Sequence, residues 1–338
     1  MPVSVADLPQ VYTKPSCVEL LDSLRKLHAE LPVWSPATPR EEIVEEYHNS
    51  AQSRREVAAY LSSIIKSSLE WIQDEDEREL VWTEASRRLS ERCGRAGMGE
   101  ITRRWPFGDG NPGQPSFELI IREPPIVGDS LGLKTWGSSY TLARSLNQVG
   151  TLSHLLDADR SSTPLNVLEL GSGTGLLGMA AAALWKTHVV LTDLPEIVPN
   201  LAFNVEGNRS VVEALGGSIE AGALTWGGTG EDDMGRLSEK NQFHIILIAD
   251  ALYDDDHPRL LWSAILDHLA NDKHARAVLV APLRDSTAMK LLQEFRSVAA
   301  RGPRPLVCLE ENTLIGQDDW GEDEETSLVE CWWGVFGG

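Results

Sequence analysis

The sequence predicts an α/β protein in two parts: an N-terminal helical region over residues 1–107 and a domain built on a parallel sheet over residues 108–338. Three observations carry this. The first hundred residues place apolar side chains at helical spacing behind helix-start signals. From Leu165 the pattern changes to short apolar runs alternating with helix-length stretches, which is how a parallel α/β sheet reads. A run of glycines follows the first of those apolar segments directly.

In the helical region, capping boxes stand at Ser16–Glu19, Thr38–Glu41 with Pro39 at the first helical position, and Ser53–Glu56, with an Asp variant at Asp74–Glu77. In each the short polar side chain accepts an orphan N–H and the acidic residue three positions on reaches back. Behind the first box Leu20, Leu24, Leu27 and Leu31 share one face; behind the third, Val57, Tyr60, Leu61, Ile64, Ile65 and Leu69 do the same. Gly94 reads as a C-cap. These stripes are packing faces, and the acidic runs Glu41–Glu46 and Asp74–Glu79 are solvated faces and helix starts. The turn-rich stretch Gly108–Pro115 separates the two parts. Phe117–Ile121 then reads as a strand, and Leu133–Leu146 runs into a helix. The alternating part gives strands at Leu165–Leu170, His188–Thr192, Ser218–Leu224, Phe243–Ile248 and Ala277–Ala281, with helices at Leu176–Trp185 and Pro195–Gly207. Leu306–Glu310 and Ser327–Phe336 have no helix-length pattern between them and read as a closing hairpin with a long acidic loop, which is not the open dinucleotide-binding topology.

The chain of 338 residues is 42% hydrophobic and 24% charged, which suits a folded protein with a core of ordinary size. Its formal net charge of −21 opposes non-specific binding to phosphate backbones and suits a basic partner. Cys17, Cys93, Cys308 and Cys331 show neither C-x-x-C nor zinc spacing and read as reduced thiols; no metal site is expected. The opening MPVSVADLPQ has no secretory character, and the most apolar stretch, Leu176–Trp185, is too short to span a bilayer. The chain reads as cytoplasmic.

The strongest chemical signal is Glu169-Leu-Gly171-Ser172-Gly173-Thr-Gly175-Leu-Leu-Gly178. Glycines after a buried strand let the backbone approach a ligand and turn into a helix, whose first N–H groups can meet an anion. Asp193 ends the next strand, where a carboxylate can accept from both hydroxyls of a ribose. Two ligand classes fit. Gly173, Gly175 and Gly178 satisfy G-x-G-x-x-G with Asp193 twenty residues beyond Gly173, as for a nicotinamide cofactor, but this leaves Gly171 and Ser172 as an unexplained extension. The form E-x-G-x-G-x-G uses every residue and is that of S-adenosylmethionine sites. A silent version of the fold that binds a partner without catalysis is a third possibility.

Four segments resemble the seven-stranded protein-lysine methyltransferases of methyltransferase family 16, most closely the member that modifies translation elongation factor 2. They are Leu133-Lys-Thr-Trp136-Gly-Ser-Ser, Glu169–Gly175, Leu224-Thr-Trp226-Gly227 and Asp250-Ala-Leu-Tyr253, the last an acidic-x-x-Tyr signature. The resemblance covers roughly residues 117–338; the helical first hundred residues carry no family motif. It implies a Rossmann-like seven-stranded methyltransferase sheet, S-adenosylmethionine as cofactor and a translation elongation factor, elongation factor 2, as protein substrate. It also implies that Trp226 stacks on the adenine, that Trp136 walls the cofactor cleft, and that Glu169, Gly175 and the backbone at Gly171, Ser172, Gly173 and Ala249 belong to the cofactor site. A core tryptophan is the plainer reading of either Trp.

Asp250 and Tyr253 fall where the transferred methyl should emerge. A lysine ammonium must first lose a proton, which costs about 4.6 kcal/mol at pH 7. A nearby carboxylate raises that pKa, so Asp250 is read as a group that aims the lysine and stabilises the methylated product, with water carrying off the proton. Tyr253 adds a cation–π wall or a hydrogen bond. There is no Asn/Asp-Pro-Pro-Tyr sequence, and no triad or metal cluster is indicated. The expected enzyme is a monomer with no nucleic-acid or membrane partner; the rival enzyme reading is methylation of another protein side chain or of a small molecule. Its site rim is expected to be acidic, from Asp254–Asp256 and from Asp318, Asp319 and Glu322–Glu325 in the loop of the last hairpin.

Overall fold

The computed structural model describes residues 4–27, 55–92, 99–108, 115–125, 131–156, 165–228, 237, 239–317 and 328–338. The chain divides into two units, the first built on Met1–Gly99 and the second on Glu100–Asp318 with Thr326–Gly338. The expected caps at Thr38–Glu41, at Ser53 and at Gly94, the acidic run Glu41–Glu46, and the hairpin-loop acids lie outside the described residues.

In the first unit, α1 (Cys17–Lys26) starts in a complete capping box: Ser16 Oγ accepts from Glu19 N at 3.3 Å, and Ser16 N donates to Glu19 Oε2 at 2.8 Å. Residues 55–66 are helical, and α2 (Glu75–Ser90) is capped by Asp74, whose Oδ1 accepts from the N–H of Asp76 and of Glu77. The two apolar stripes read from the sequence meet in one core of Leu20, Leu24, Val57, Tyr60, Leu61, Ile64 and Leu69, closed by Val81 and Ala85 of α2. Removing this apolar area from water, at about 25 cal/mol per Å², is what holds three helical segments together.

The second unit opens with a hairpin of β1 (Ile101–Phe107) and β2 (Phe117–Glu123), paired antiparallel from Ile101↔Glu123 to Phe107↔Phe117. β1 falls in a stretch read from the sequence as helical. Its buried face carries Arg103 as well as Trp105 and Phe107, and the charge hides the alternation. Burial is tolerated because Arg103 lies 3.5 Å from the Glu123 carboxylate.

After α3 (Gly137–Ser145) come β3 (Asn166–Leu170), α4 (Leu176–Trp185), β4 (His188–Asp193), α5 (Val198–Ala214), β5 (Ser218–Ala223), β6 (Ile245–Ala249), α6 (His257–His268), β7 (Arg276–Pro282), α7 (Ser286–Arg301), β8 (Val307–Gln317) and β9 (Leu328–Gly337). The sheet has seven strands in the order β5-β4-β3-β6-β7-β9-β8. β9 is antiparallel to both β7 and β8; the other pairs are parallel. The predicted fold holds. The strand order reverses between β3 and β6, so the crevice outside their carboxyl ends is where a ligand can bind. α4 is buried from Leu176 to Ala183, which explains a sequence apolar all round rather than on one stripe. On the opposite layer, Trp262 and Ile265 of α6 and Leu291 and Phe295 of α7 share a core with Leu168, Ile246, Ile248 and Leu279 of the sheet.

α5 runs on to Ala214, past the expected end at Gly207, because that glycine faces open solvent and does not cap. It also holds the hairpin. Asn208 accepts from Ile120 N at 2.8 Å and donates to Ile120 O at 2.8 Å, and Asn204 does the same to Arg122 at 2.9 and 3.0 Å. One helical turn on α5 matches a two-residue step on β2, so the side-chain amides act as the missing next strand.

Candidate active site

The glycine turn follows β3. Gly171, Gly173 and Gly175 all have positive φ, at 67°, 57° and 88°. A Cβ on Gly171 would lie 3.2 Å from the Trp226 ring, and one on Gly175 2.7 Å from Leu201. The glycines therefore do different work. Gly171 brings the backbone against an aromatic wall, whereas Gly175 caps α4 and packs on α5. The turn is tied to β4: Ser172 N donates to Thr192 O at 2.9 Å, Thr192 N to Ser172 Oγ at 3.0 Å, and Thr192 Oγ1 to Glu169 O at 2.7 Å. Asp193 Oδ2 accepts from Gly173 N at 2.7 Å, and its Oδ1 from Leu194 N at 2.7 Å. Burial pushes the Asp193 carboxyl up to about 6, against the pull of these two N–H groups. Glu169 is buried and accepts from Gly178 N at 3.1 Å; burial pushes it up to about 8, so it is largely protonated at neutral pH.

The turn and Asp193 border a cleft of about 430 Å³ at the carboxyl edge of the sheet. Trp136, Glu169, Gly171, Ser172, Gly173, Asp193, Trp226, Ala249, Asp250 and Tyr253 all line it; Gly175 does not, and sits behind the turn at the start of α4. Trp136 stands at the N-cap of α3, where its Nε1 donates to Leu131 O at 3.1 Å. The hydroxyls of Thr135 and Thr174 lie 2.8 Å apart, fastening the tryptophan segment to the glycine turn. Trp226 is half-buried, with His257 edge-on at 5.7 Å. Tyr253 is 58% exposed at the rim, edge-on to His257 at 4.3 Å.

Asp250 follows β6 in the left-handed region, with φ of 55°, a conformation that few residues other than glycine adopt without a local compensation. Its N–H donates to Val280 O at 3.0 Å. Its carboxylate accepts from Ser138 Oγ at 3.0 Å and from both terminal nitrogens of Arg284, at 3.0 and 2.7 Å. The Arg284 guanidinium also lies 4.7 Å from the Trp136 ring centroid, and the buried Lys134 ammonium lies 4.4 Å from it. Ser138, Arg284, Lys134 and His257 were missed by sequence reasoning as site residues. The one available signal was that Arg284 stands just past the carboxyl end of an apolar strand, the edge where α/β sheets bind ligands.

Comparison with known proteins agrees with the four-segment resemblance. Residues 114–295, more than half of the chain, match the family model described as lysine methyltransferase. The protein-lysine N-methyltransferase rrg1 of Schizosaccharomyces pombe is 29% identical over 315 residues, 93% of each chain. The protein-lysine N-methyltransferase EFM2 of Saccharomyces cerevisiae is 32% identical over 282 residues, which is 80% of this chain but 63% of that longer protein. The protein-lysine methyltransferase METTL21E of Bos taurus is 32% identical over 145 residues, 43% of this chain and 45% of that one. The chain belongs to the lysine methyltransferase family, the protein-lysine N-methyltransferases.

Proposed function

We propose that the chain methylates a lysine of a translation elongation factor, elongation factor 2, with S-adenosylmethionine as methyl donor. One observation carries the reading: segments far apart in sequence set Trp136, Gly171–Gly173, Asp193, Trp226 and Asp250 around a single cleft. The residues fit the donor. Gly171 leaves a backbone cradle that a Cβ would fill against Trp226. Asp193 uses one acceptor site on each oxygen, for Gly173 N and Leu194 N, and a carboxylate has about four, so capacity is left for a diol. Trp226 would face the adenine, where stacking contributes about 1–3 kcal/mol. Trp136 and the backbone at Ala249 would wall the cleft. When bound, S-adenosylmethionine supplies an electrophilic methyl whose bond to sulfur breaks, the electron pair staying on sulfur, as the lysine nitrogen takes the carbon. Asp250, in the lining of the same cleft, aims that nitrogen, and Tyr253 covers it. Positioning of this kind supplies most of the rate in a transfer between two bound groups. The substrate assignment rests on the likeness to the elongation-factor members of the family and on a match that extends well beyond the methyltransferase segment.

Calorimetry tests the donor. The protein should bind S-adenosylmethionine, and Asp193→Ala should weaken binding by about 2 kcal/mol or more as the buried acceptor is lost. Tight binding of NAD with no binding of S-adenosylmethionine would contradict the reading.

A further inference from the structure

We propose that Arg284 is an electrostatic positioning residue for the acceptor lysine: it cancels the charge of Asp250, so that Asp250 holds the incoming amine by a hydrogen bond without holding its proton. This rests on the lysine-methylation reading of the cleft. A bare carboxylate beside the acceptor would stabilise the ammonium form, the form with no lone pair to donate. Asp250 is not bare. Arg284 meets it with two parallel N–H···O bonds, a planar fork that a lysine could not reproduce, and Ser138 adds a third bond. Three of about four acceptor sites are thus filled, and the open one is on Oδ1. It can take one N–H of a neutral amine.

The guanidinium is held by a second contact, on the face of the Trp136 ring. Its side chain is 31% exposed against 9% for Asp250, so the cation is the more accessible member of the pair. An amine arriving there meets a carboxylate already neutralised, with a cation beside it, which favours loss of the proton, as a neighbouring cation does for activated lysines in general. Lys134, on the same tryptophan, adds to this field; Glu169, Asp193, Glu196, His257 and the Tyr253 phenol are the other titratable groups of the cleft. Asp285, next in the chain, is turned to the start of α7, where it accepts from Ala288 N at 2.8 Å. The step balances. The ammonium gives its proton to water, the freed lone pair forms the nitrogen–carbon bond, and the charge lost by the sulfonium reappears on the methylated ammonium.

The test compares wild type, Arg284→Gln and Arg284→Lys on unmethylated elongation factor 2. The pH limb of kcat reports the acceptor within the ternary complex. For Arg284→Gln it should move to higher pH by about one unit or more, and for Arg284→Lys by less, with S-adenosylmethionine affinity within a few-fold of wild type. A second readout needs no turnover. Calorimetry in buffers of different ionisation enthalpy counts the protons released when elongation factor 2 binds the protein loaded with S-adenosylhomocysteine at about pH 9. Wild type should release more than Arg284→Gln. A limb and a proton count unchanged in Arg284→Gln, whatever happens to kcat, would overturn the assignment. Wild-type turnover in the same assay tests the underlying reading separately.

Discussion

Asp193 holds the glycine turn through Gly173 N and its own loop through Leu194 N, while keeping acceptor capacity toward the cleft. Its carboxyl is raised to about 6, so it loses its charge within the ordinary assay range. S-adenosylmethionine affinity, followed by calorimetry, should therefore fall as the pH is lowered through about 6, and Asp193→Asn should remove that dependence. Glu169 titrates in the other direction of interest. Its folded-state pKa of about 8 lies above the unfolded value, so the stability it contributes is complete below about 4.5 and is lost as the pH rises through about 8. In urea unfolding, the stability of wild type relative to Glu169→Gln should decline across that window; a constant difference would show that Glu169 stays ionised. Both carboxylates were visible in the sequence because they sit at fixed offsets from a glycine run. Arg284 was not, because nothing in the spacing from Asp250 says that two strand ends will bring the residues within 3 Å.

The inner strands β3, β4, β6 and β7 and the helix α4 were legible, because each is a short, mostly apolar run. The rest was less so: α6 and α7 were not expected from the sequence, and β8 runs on to Gln317 where the sequence reads a strand only over Leu306–Glu310. β1 conceals its alternation behind a buried Arg103, and α5 outruns a glycine that meets nothing. The asparagine ladder on α5 was equally silent, since polar residues at i and i+4 read as an exposed helix face. Asn204→Ala and Asn208→Ala should each lose about 2–4 kcal/mol in urea unfolding, from three broken hydrogen bonds and the backbone groups left without them. Only Asn204 also donates to Thr174 O, at 3.1 Å, within the glycine turn. Asn204→Ala should accordingly weaken S-adenosylmethionine binding as well, and Asn208→Ala should leave it close to wild type. Equal effects on the cofactor would mean that α5 supports the turn only by packing.

Across the whole molecule, a net charge of −21 favours encounter with a basic protein surface. Asp254, Asp255 and Asp256 are exposed directly after Tyr253, and β8, parallel to β6, ends at Gln317 on the same edge of the sheet. Two of the three acids have basic neighbours, Lys290 at 3.5 Å and Arg259 at 2.9 Å, which tempers the field. The KM for the protein substrate should rise with ionic strength, and changing Asp254–Asp256 to Asn should flatten that rise. An unchanged salt profile would mark them as a solvated loop. The proposed methyl transfer to a lysine of elongation factor 2 is open to mass spectrometry of purified, unmethylated elongation factor 2 after incubation with the protein and labelled S-adenosylmethionine. Label should appear on a lysine with wild type and almost none with Asp250→Ala, whose affinity for S-adenosylmethionine should stay within a few-fold. Elongation factor 2 left unlabelled by wild type, or labelled equally by Asp250→Ala, would contradict the proposal.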